Sequence, residues 1–401
     1  MQRVEQHIIL KNEQVDKLCY LAKNLYNFAN YYIRQEFINN KKWLRYVKVY
    51  DLVRNGDDYK ALPAQSAQQV LRLLDKNWVS FFRNIKTFKN NGSSGKPKLP
   101  KYKDKIKGRS IFIFTNQQAK LKNGYIKFPT ASLLEPLKTK VSNVCQVRLI
   151  PQATCYVIEV VYKKEVQNVK TIKDTYLSID IGVNNLATCV NNIGEIPFII
   201  NGRPLKSINQ YFNKKMASLK SMCTVGKDSK KESDKKYFKT TNKMNNVTHK
   251  RSNKIADYMH KSSRFIVDYC IKYKISTIVV GKNINWKQNI NHGKKNNQNF
   301  VQIPFCKLIE QLTYKCEEVG ISVTTHEESY TSKCSFLDLE SVCKHSSYLG
   351  RRIKRGLFKS FNGLFINADV NGAFNILKKA VPKVFSDGIE GVGLCPIIIN
   401  I

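Results

Sequence analysis

The sequence is short of acid. It carries 30 Asp and Glu against 68 Lys and Arg, a net charge of +38 over 401 residues. A chain this basic is expected to neutralise a polyanion. Long apolar runs are missing as well: none approaches the roughly 20 residues that cross a bilayer, so no membrane partner is expected. The opening MQRVEQHIILKNEQ lacks the basic-then-apolar pattern of an export signal. The expectation is an intracellular protein whose polyanion is nucleic acid. Cys-x-x-Cys pairs are absent. The eleven cysteines are odd in number and scattered, which argues against a disulfide framework. Most of them read as small buried hydrophobes.

Hydrophobic residues make up 42% of the chain, enough for real cores, and its length suggests two or three domains. Arg3 to Leu10 reads as a short strand. Leu18, Leu21, Leu25, Phe28 and Tyr32 then recur at steps of three and four, as do Val70, Leu74, Trp78 and Phe82 after Pro63, predicting two amphipathic helices packed together. Phe88 to Ser110 is rich in Lys, Gly and Pro. It is either a solvated linker or a basic strap on a phosphate backbone, and the overall charge favours the strap. From Ile111 to Lys163, short β-branched runs predict an antiparallel sheet or small barrel.

From Thr175 the pattern is three strands, TYLSID, LATCVNN and IPFII, followed by alternating helices and strands. The later strands are Ile275 to Val280 and Gly320 to Glu327; the helices are Asn242 to Tyr273, Pro304 to Val319 and Asp369 to Ala380. That is the element order of a ribonuclease-H-like mixed α/β fold. The expected class is therefore α+β and multidomain. A barrel domain spans 1–10 and 106–170, with a helical insertion at 11–105. A nuclease-type domain spans 171–385, with insertions at 206–250 and 331–366, and a tail follows at 386–401.

Asp180 ends the apolar run YLSI. Metal-dependent phosphodiester cleavage needs two or three hard carboxylates converging on divalent cations, and such an acid at a strand end suits that use. A plain turn is the alternative. Asp369 opens the last helix, where a lone acid would equally favour the helix dipole. Occurring together in this order, the two favour a metal site.

DIGVNNLATCV and INADVNGAFNI resemble the motifs that open and close the split RuvC nuclease domain of the TnpB family. THKRSNKIADYMHKSSRFIVDYC, YTSKCSFLD, LPAQSAQQVLRLLDKNWVSFF and GKPKLPKYK are similar to further stretches of that family, so the resemblance runs through nearly the whole chain. It implies a transposon-encoded, RNA-guided DNA endonuclease with a single RuvC site holding two Mg²⁺ ions. The implied partners are a noncoding guide RNA and duplex DNA, and no protein oligomer is indicated. The barrel domain would be the family's wedge and the helical insertion its recognition lobe. The location would be the cytoplasm with the nucleoid in a prokaryote, or the nucleus in a eukaryote.

Two departures stand out. The family's acid at the end of the fourth strand is replaced here by Gly281 and Lys282. Rearranged relatives, including Fanzor proteins, carry a Glu two positions before the aromatic of the Y-T-S stretch, which is Glu328 here. The implied metal site is then Asp180, Glu328 and Asp369. Glu327 is the rival third acid, and strand alternation does not choose between the two. The region of the family's zinc ribbon retains only Cys334, Cys343 and His345, too few to close a structural tetrahedral site, so zinc is not expected. His326 is a conceivable fourth ligand that the spacing does not require. The helix-like run KHSSYLGRRIKRGLFK would make a nucleic-acid contact in the ribbon's place. His260 is expected to pack or hydrogen-bond, and Trp286 either stacks on a base or caps the core. A nuclease-inactive protein that still binds guide RNA and target is the competing functional reading.

Overall fold

Gln2–Ile9 (β1) alternates exposed and half-buried side chains, as a strand with one covered face does. In the computed structural model, which describes residues 1–10, 12–91, 95–224, 240–283, 300–386 and 393–401, the chain divides into two units, Met1–Lys164 and Glu165–Ile401.

In the first unit β1 is followed by helices Glu13–Asn40 (α1), Tyr46–Val53 (α2), Asp57–Lys60 (α3) and Ala64–Asn91 (α4). Strands Phe112–Thr115 (β2), Lys120–Lys122 (β3), Tyr125–Lys127 (β4), Leu137–Lys138 (β5), Gln146–Pro151 (β6) and Tyr156–Lys163 (β7) come next. Gln2 pairs with Lys163, so β1 joins the order β1-β7-β6-β2, and the four helices interrupt one sheet. β3, β4 and β5 form a separate sheet. Among the described residues the two sheets share no ladder, so hydrogen bonds do not close the expected barrel; β3 to β5 are only two or three residues long.

The two predicted helices meet. Val70, Leu74 and Trp78 of α4 are buried with Leu18 and Leu25 of α1. Trp78 donates its indole N–H to Asn30 at 3.0 Å, which satisfies a polar group in an otherwise apolar core. α4 extends through Phe88, so the basic loop begins later than the Lys-Gly-Pro composition suggests. Beyond it, residues 95–110 are held along α1 by their own carbonyls. Asn30 and Arg34 donate to the carbonyl of Pro100, Asn27 to that of Lys103 and Lys23 to that of Lys105. Arg109 closes the strap with two bonds of 2.7 Å to Asp16. The strap's backbone is thus fixed, while Lys101, Lys103, Lys105 and Lys107 stay exposed.

In the second unit a six-stranded sheet is built from Ile172–Ile181 (β8), Asn185–Asn191 (β9), Phe198–Asn201 (β10), Ile275–Gly281 (β11), Ser322–His326 (β12) and Ile397–Ile399 (β16). Their order across the sheet is β12-β11-β8-β9-β10-β16. β8, β11 and β12 are mutually parallel, whereas β9 is antiparallel to β8 and β10. Helices Asn242–Lys272 (α6) and Phe305–Glu317 (α7) share a core with Leu177, Ile179, Ile278 and Val280. Helix Ala368–Ala380 (α8) covers the other face, where Ile376 and Leu377 pack with Val279 and Tyr176.

Within the segment expected as an insertion at 206–250, Arg203–Thr224 (α5) is a helix, with Leu205 and Leu219 buried. Its apolar spacing, Leu205, Ile208, Phe212, Met216 and Leu219, is helical but masked by lysines. The basic run around Arg351 is not a helix. Arg351–Lys354 (β13) and Leu357–Lys359 (β14) form a hairpin, joined by Phe365–Ile366 (β15). Gly356 at φ +79° makes the turn, a conformation that glycine adopts without steric cost. Among the described residues no helix is long and apolar enough to cross a membrane.

Candidate active site

Strand alternation aims Asp180 at α8. Tyr176, Ser178 and Asp180 share one face of β8, and Tyr176 on that face packs with the helix. Gly372 lets the helix come close: a Cβ there would lie 3.1 Å from Asp180 Oδ2. Asp369 is carried on the first turn of α8. It is not spent on capping, because Asn367 accepts the helix-end N–H groups of Asp369 and Val370 at 3.0 and 3.2 Å. The Asp369 carboxylate is held instead by Asn185 Nδ2 at 2.6 Å and by Arg352 Nη2 at 3.3 Å.

Glu327 and Glu328 part company where β12 ends at His326, so strand alternation no longer governs them. Glu327 pairs with Lys379 of α8 at 2.5 Å, and that hydrogen bond holds its carboxyl below the usual range. Glu328 takes the other direction. Its Oε1 accepts from Asn283 at 3.0 Å, while its Oε2 is buried without a hydrogen-bond partner among the described residues.

Asp180 and Asp369 line one cavity, and Glu328 lies outside that lining. Asp180 keeps some surface toward a cavity, but its carboxyl is ringed by protein. Burial first, then the charges of Glu328 and Asp369, push it up to about 8, against a smaller opposing effect of Arg352. Burial, and then the neighbouring Glu327, pushes Glu328 up to about 6. A carboxylate that is desolvated, crowded by like charge and left with an unpaired buried oxygen fits a cation-binding position. The cavity beside Asp180 is about 570 Å³ and is lined by Asn185, Arg203, Arg352, Arg355 and Asp369 among others. Among the described residues, no group of three His, Cys, Asp or Glu side chains is arranged to hold a metal ion as it stands.

The Y-T-S stretch is pinned to the same helix. Asn371 accepts from the N–H of Phe336 and donates to the carbonyl of Cys334; Asn375 donates to the carbonyls of Thr331 and Cys334. Both asparagines are fully buried, one helical turn apart. Cys334 is buried and Cys343 exposed, with Cys343 Sγ 3.4 Å from His345 Nε2. Buried Glu340 accepts from the N–H groups of Ser335 and Leu349 and organises this loop. His326 lies at the end of β12, its Nδ1 3.2 Å from the carbonyl of Glu327. His260 is exposed on α6, which goes against packing, one of the two roles expected for it besides hydrogen bonding. Trp286 lies outside the described residues.

Asn185, Arg352 and Asn283 were not singled out from sequence. Asn185 lies within the DIGVNNLATCV motif, and its i+5 spacing from Asp180 around a strand turn was a usable signal. Arg352 was hidden in a basic run, and Asn283 had no signal at all.

The family described as a probable transposase of the OrfB_IS605 type matches residues 159–287, and a Cas12f1-like TNB domain matches residues 305–376. A TnpB-like protein, ORF457 of Acidianus two-tailed virus, is 25% identical over 228 residues. That match covers 56% of this chain and 46% of the viral protein, so the chain spans about half the length of this curated relative. The solved structure of a Cas12f1–sgRNA–target DNA complex aligns over 90% of this chain and 81% of that one, at 16% identity and a TM-score of 0.55. It is similar in fold. The mini-RNA-guided endonuclease CRISPR-Cas_phi3 aligns over 99% of this chain and 93% of its own, at 10% identity and a TM-score of 0.47.

Proposed function

For a chain that belongs to the TnpB family, we propose the function of an RNA-guided DNA endonuclease encoded by a transposable element. Asp180, Glu328 and Asp369 form its metal site, within a ribonuclease-H-like RuvC domain. The first unit supplies a wedge sheet and a helical recognition insertion. The partners are a noncoding guide RNA and duplex target DNA, which accords with a net charge of +38.

One observation carries the reading: Asp180 and Asp369 line one basic cavity, where burial and then the nearby charges of Glu328 and Asp369 raise the Asp180 carboxyl. Two desolvated carboxylates, Asp180 of β8 and Glu328 of the loop after β12, are costly unless a cation neutralises them. Divalent ions, when bound, would activate a water and stabilise the leaving oxygen of a phosphodiester. The chain's own part is to orient and to screen. Asn185 fixes one oxygen of Asp369, and Arg352 bridges toward the other. Arg203 and Arg355 line the cavity where they can attract a phosphate backbone. Lys379 removes Glu327 from the site by pairing with it.

A second reading has its own support. Arg352 sits on Asp369 where a cation would compete, which suits a protein that binds guide and target without cutting. Expression from the native locus, sequencing of co-purified RNA and presentation of matching duplex DNA with Mg²⁺ separate the two. Cleavage that EDTA abolishes is the expected result. Retained RNA-directed binding without cleavage by the wild type would establish the second reading instead.

A further inference from the structure

The end of β11 lies between the strands that lead to Asp180 and Glu328. Val280 pairs with Ile179 on one side, and Gly281 pairs with His326 on the other. A side chain at 281 on the Val279 face would point at α8. No such side chain fits: a Cβ on Gly281 would stand 2.8 Å from Glu328 Oε2 and 2.5 Å from Ile376 Cδ1. Gly281 has no left-handed φ, so backbone conformation does not call for glycine here. Space does, because Ile376 and Glu328 occupy it.

Two residues on, Asn283 grips Glu328 at both ends. Its Nδ2 donates to Oε1 at 3.0 Å, and its Oδ1 accepts the Glu328 backbone N–H at 3.3 Å. Lys282 N–H, bonded to the carbonyl of His326 at 2.8 Å, carries the ladder one step further and places Asn283 beside the loop. Glu328 then has one oxygen engaged and the other, buried Oε2, unpartnered among the described residues. An amide that fixes one oxygen of a carboxylate restricts how the other can be presented.

We infer that Asn283 is a positioning residue, which holds Glu328 so that its second oxygen serves the metal site, while Gly281 vacates the volume that oxygen needs. The strand that lacks an acid thus supplies the space and the clamp for an acid borrowed from its neighbour. This inference rests on the metal-site reading given above.

The test is Mn²⁺ titration of the full-length chain, read as the rise in melting temperature, alongside the Mg²⁺ concentration for half-maximal cleavage. Asp180→Ala serves as the blank. Asn283→Ala is expected to need about tenfold more Mn²⁺ for the half-maximal shift, with the metal-free melting temperature little changed. Gly281→Ala combined with Ile376→Val removes the δ-methyl that a new Cβ would strike, leaving Glu328 as the contact. It is expected to weaken Mn²⁺ binding similarly, and it decides the matter if Asn283→Ala does not fold. A wild-type midpoint in either folded variant, with Glu328→Ala and Asp180→Ala both defective, overturns this inference alone. If Glu328→Ala and Asp180→Ala also respond as wild type, the metal-site reading fails and takes the inference with it.

Discussion

Lys379 Nζ lies 2.5 Å from Glu327 Oε2, so the acid adjacent to Glu328 is already neutralised by the last helix. Two neighbouring glutamates therefore have different fates. Glu328→Gln should lower the cleavage rate at least about 100-fold, since loss of even an outer-shell partner costs about 10–100-fold at metal sites. Glu327→Gln should keep the rate within a few-fold and lower the melting temperature slightly. Single-turnover cleavage of both variants with bound RNA checks this; equal losses would contradict the division of roles.

Asp180 is expected to oppose folding at alkaline pH in the absence of metal. Burial, first of all, raises its carboxyl from the ordinary 3.8 to about 8 in the folded chain. The folded state therefore holds a proton that the unfolded state has released over this range. Stability from this group is greatest below the unfolded value and falls as pH rises through about 8. Asp180→Asn should raise the metal-free melting temperature near pH 9, by about 2–4 °C for each kcal/mol of relieved strain, and the gain should shrink toward pH 5. Thermal unfolding across that range provides the measurement.

The strap at 95–110 offers exposed lysines on a fixed backbone. Because its anchors are carbonyls bonded by α1 side chains, removing charge should not remove structure. Changing Lys101, Lys105 and Lys107 to Ala should leave the melting temperature unchanged. It should reduce the slope of log affinity for the co-purified RNA against log salt by about 0.7–0.9 per lysine that contacts a phosphate. An unchanged slope would mean the strap faces solvent.

Arg109 fastens that strap to Asp16 by a bidentate pair, and the hydrogen bond from Arg109 is the main reason the Asp16 carboxyl lies below its usual range. Arg109→Ala should free the strap, increasing proteolysis at 101–108 while lowering overall stability by no more than about 1 kcal/mol, since the pair is partly exposed. Limited proteolysis followed by mass analysis reads this directly.

Legibility of the sequence varied with the kind of signal. Asp180 and Asp369 were readable because each ends or opens an element whose apolar pattern is plain, and alternation from Tyr176 already sets the face of Asp180. Glu328 was not decidable from alternation, because β12 stops at His326 and the next residues turn out of the sheet. What separates Glu327 from Glu328 is its pairing with Lys379, 52 residues on and on another element. α5 was obscured because lysines fill its exposed side while its apolar residues stay in helical register. The hairpin around Gly356 was misread as helical because a short basic run has no period, and only the positive φ of the glycine distinguishes a turn there. Gly281, which looked like the loss of an acid, is where the structure makes room for one.

The most direct measurement is anomalous diffraction from crystals of the full chain with its RNA, soaked in Mn²⁺. The account predicts manganese bound between Asp180 and Asp369 with Glu328 Oε2 in its coordination shell, Arg352 displaced from Asp369, and Glu327 still on Lys379. Manganese held by Asp180 and Asp369 without Glu328, or no bound manganese at these acids, would contradict it.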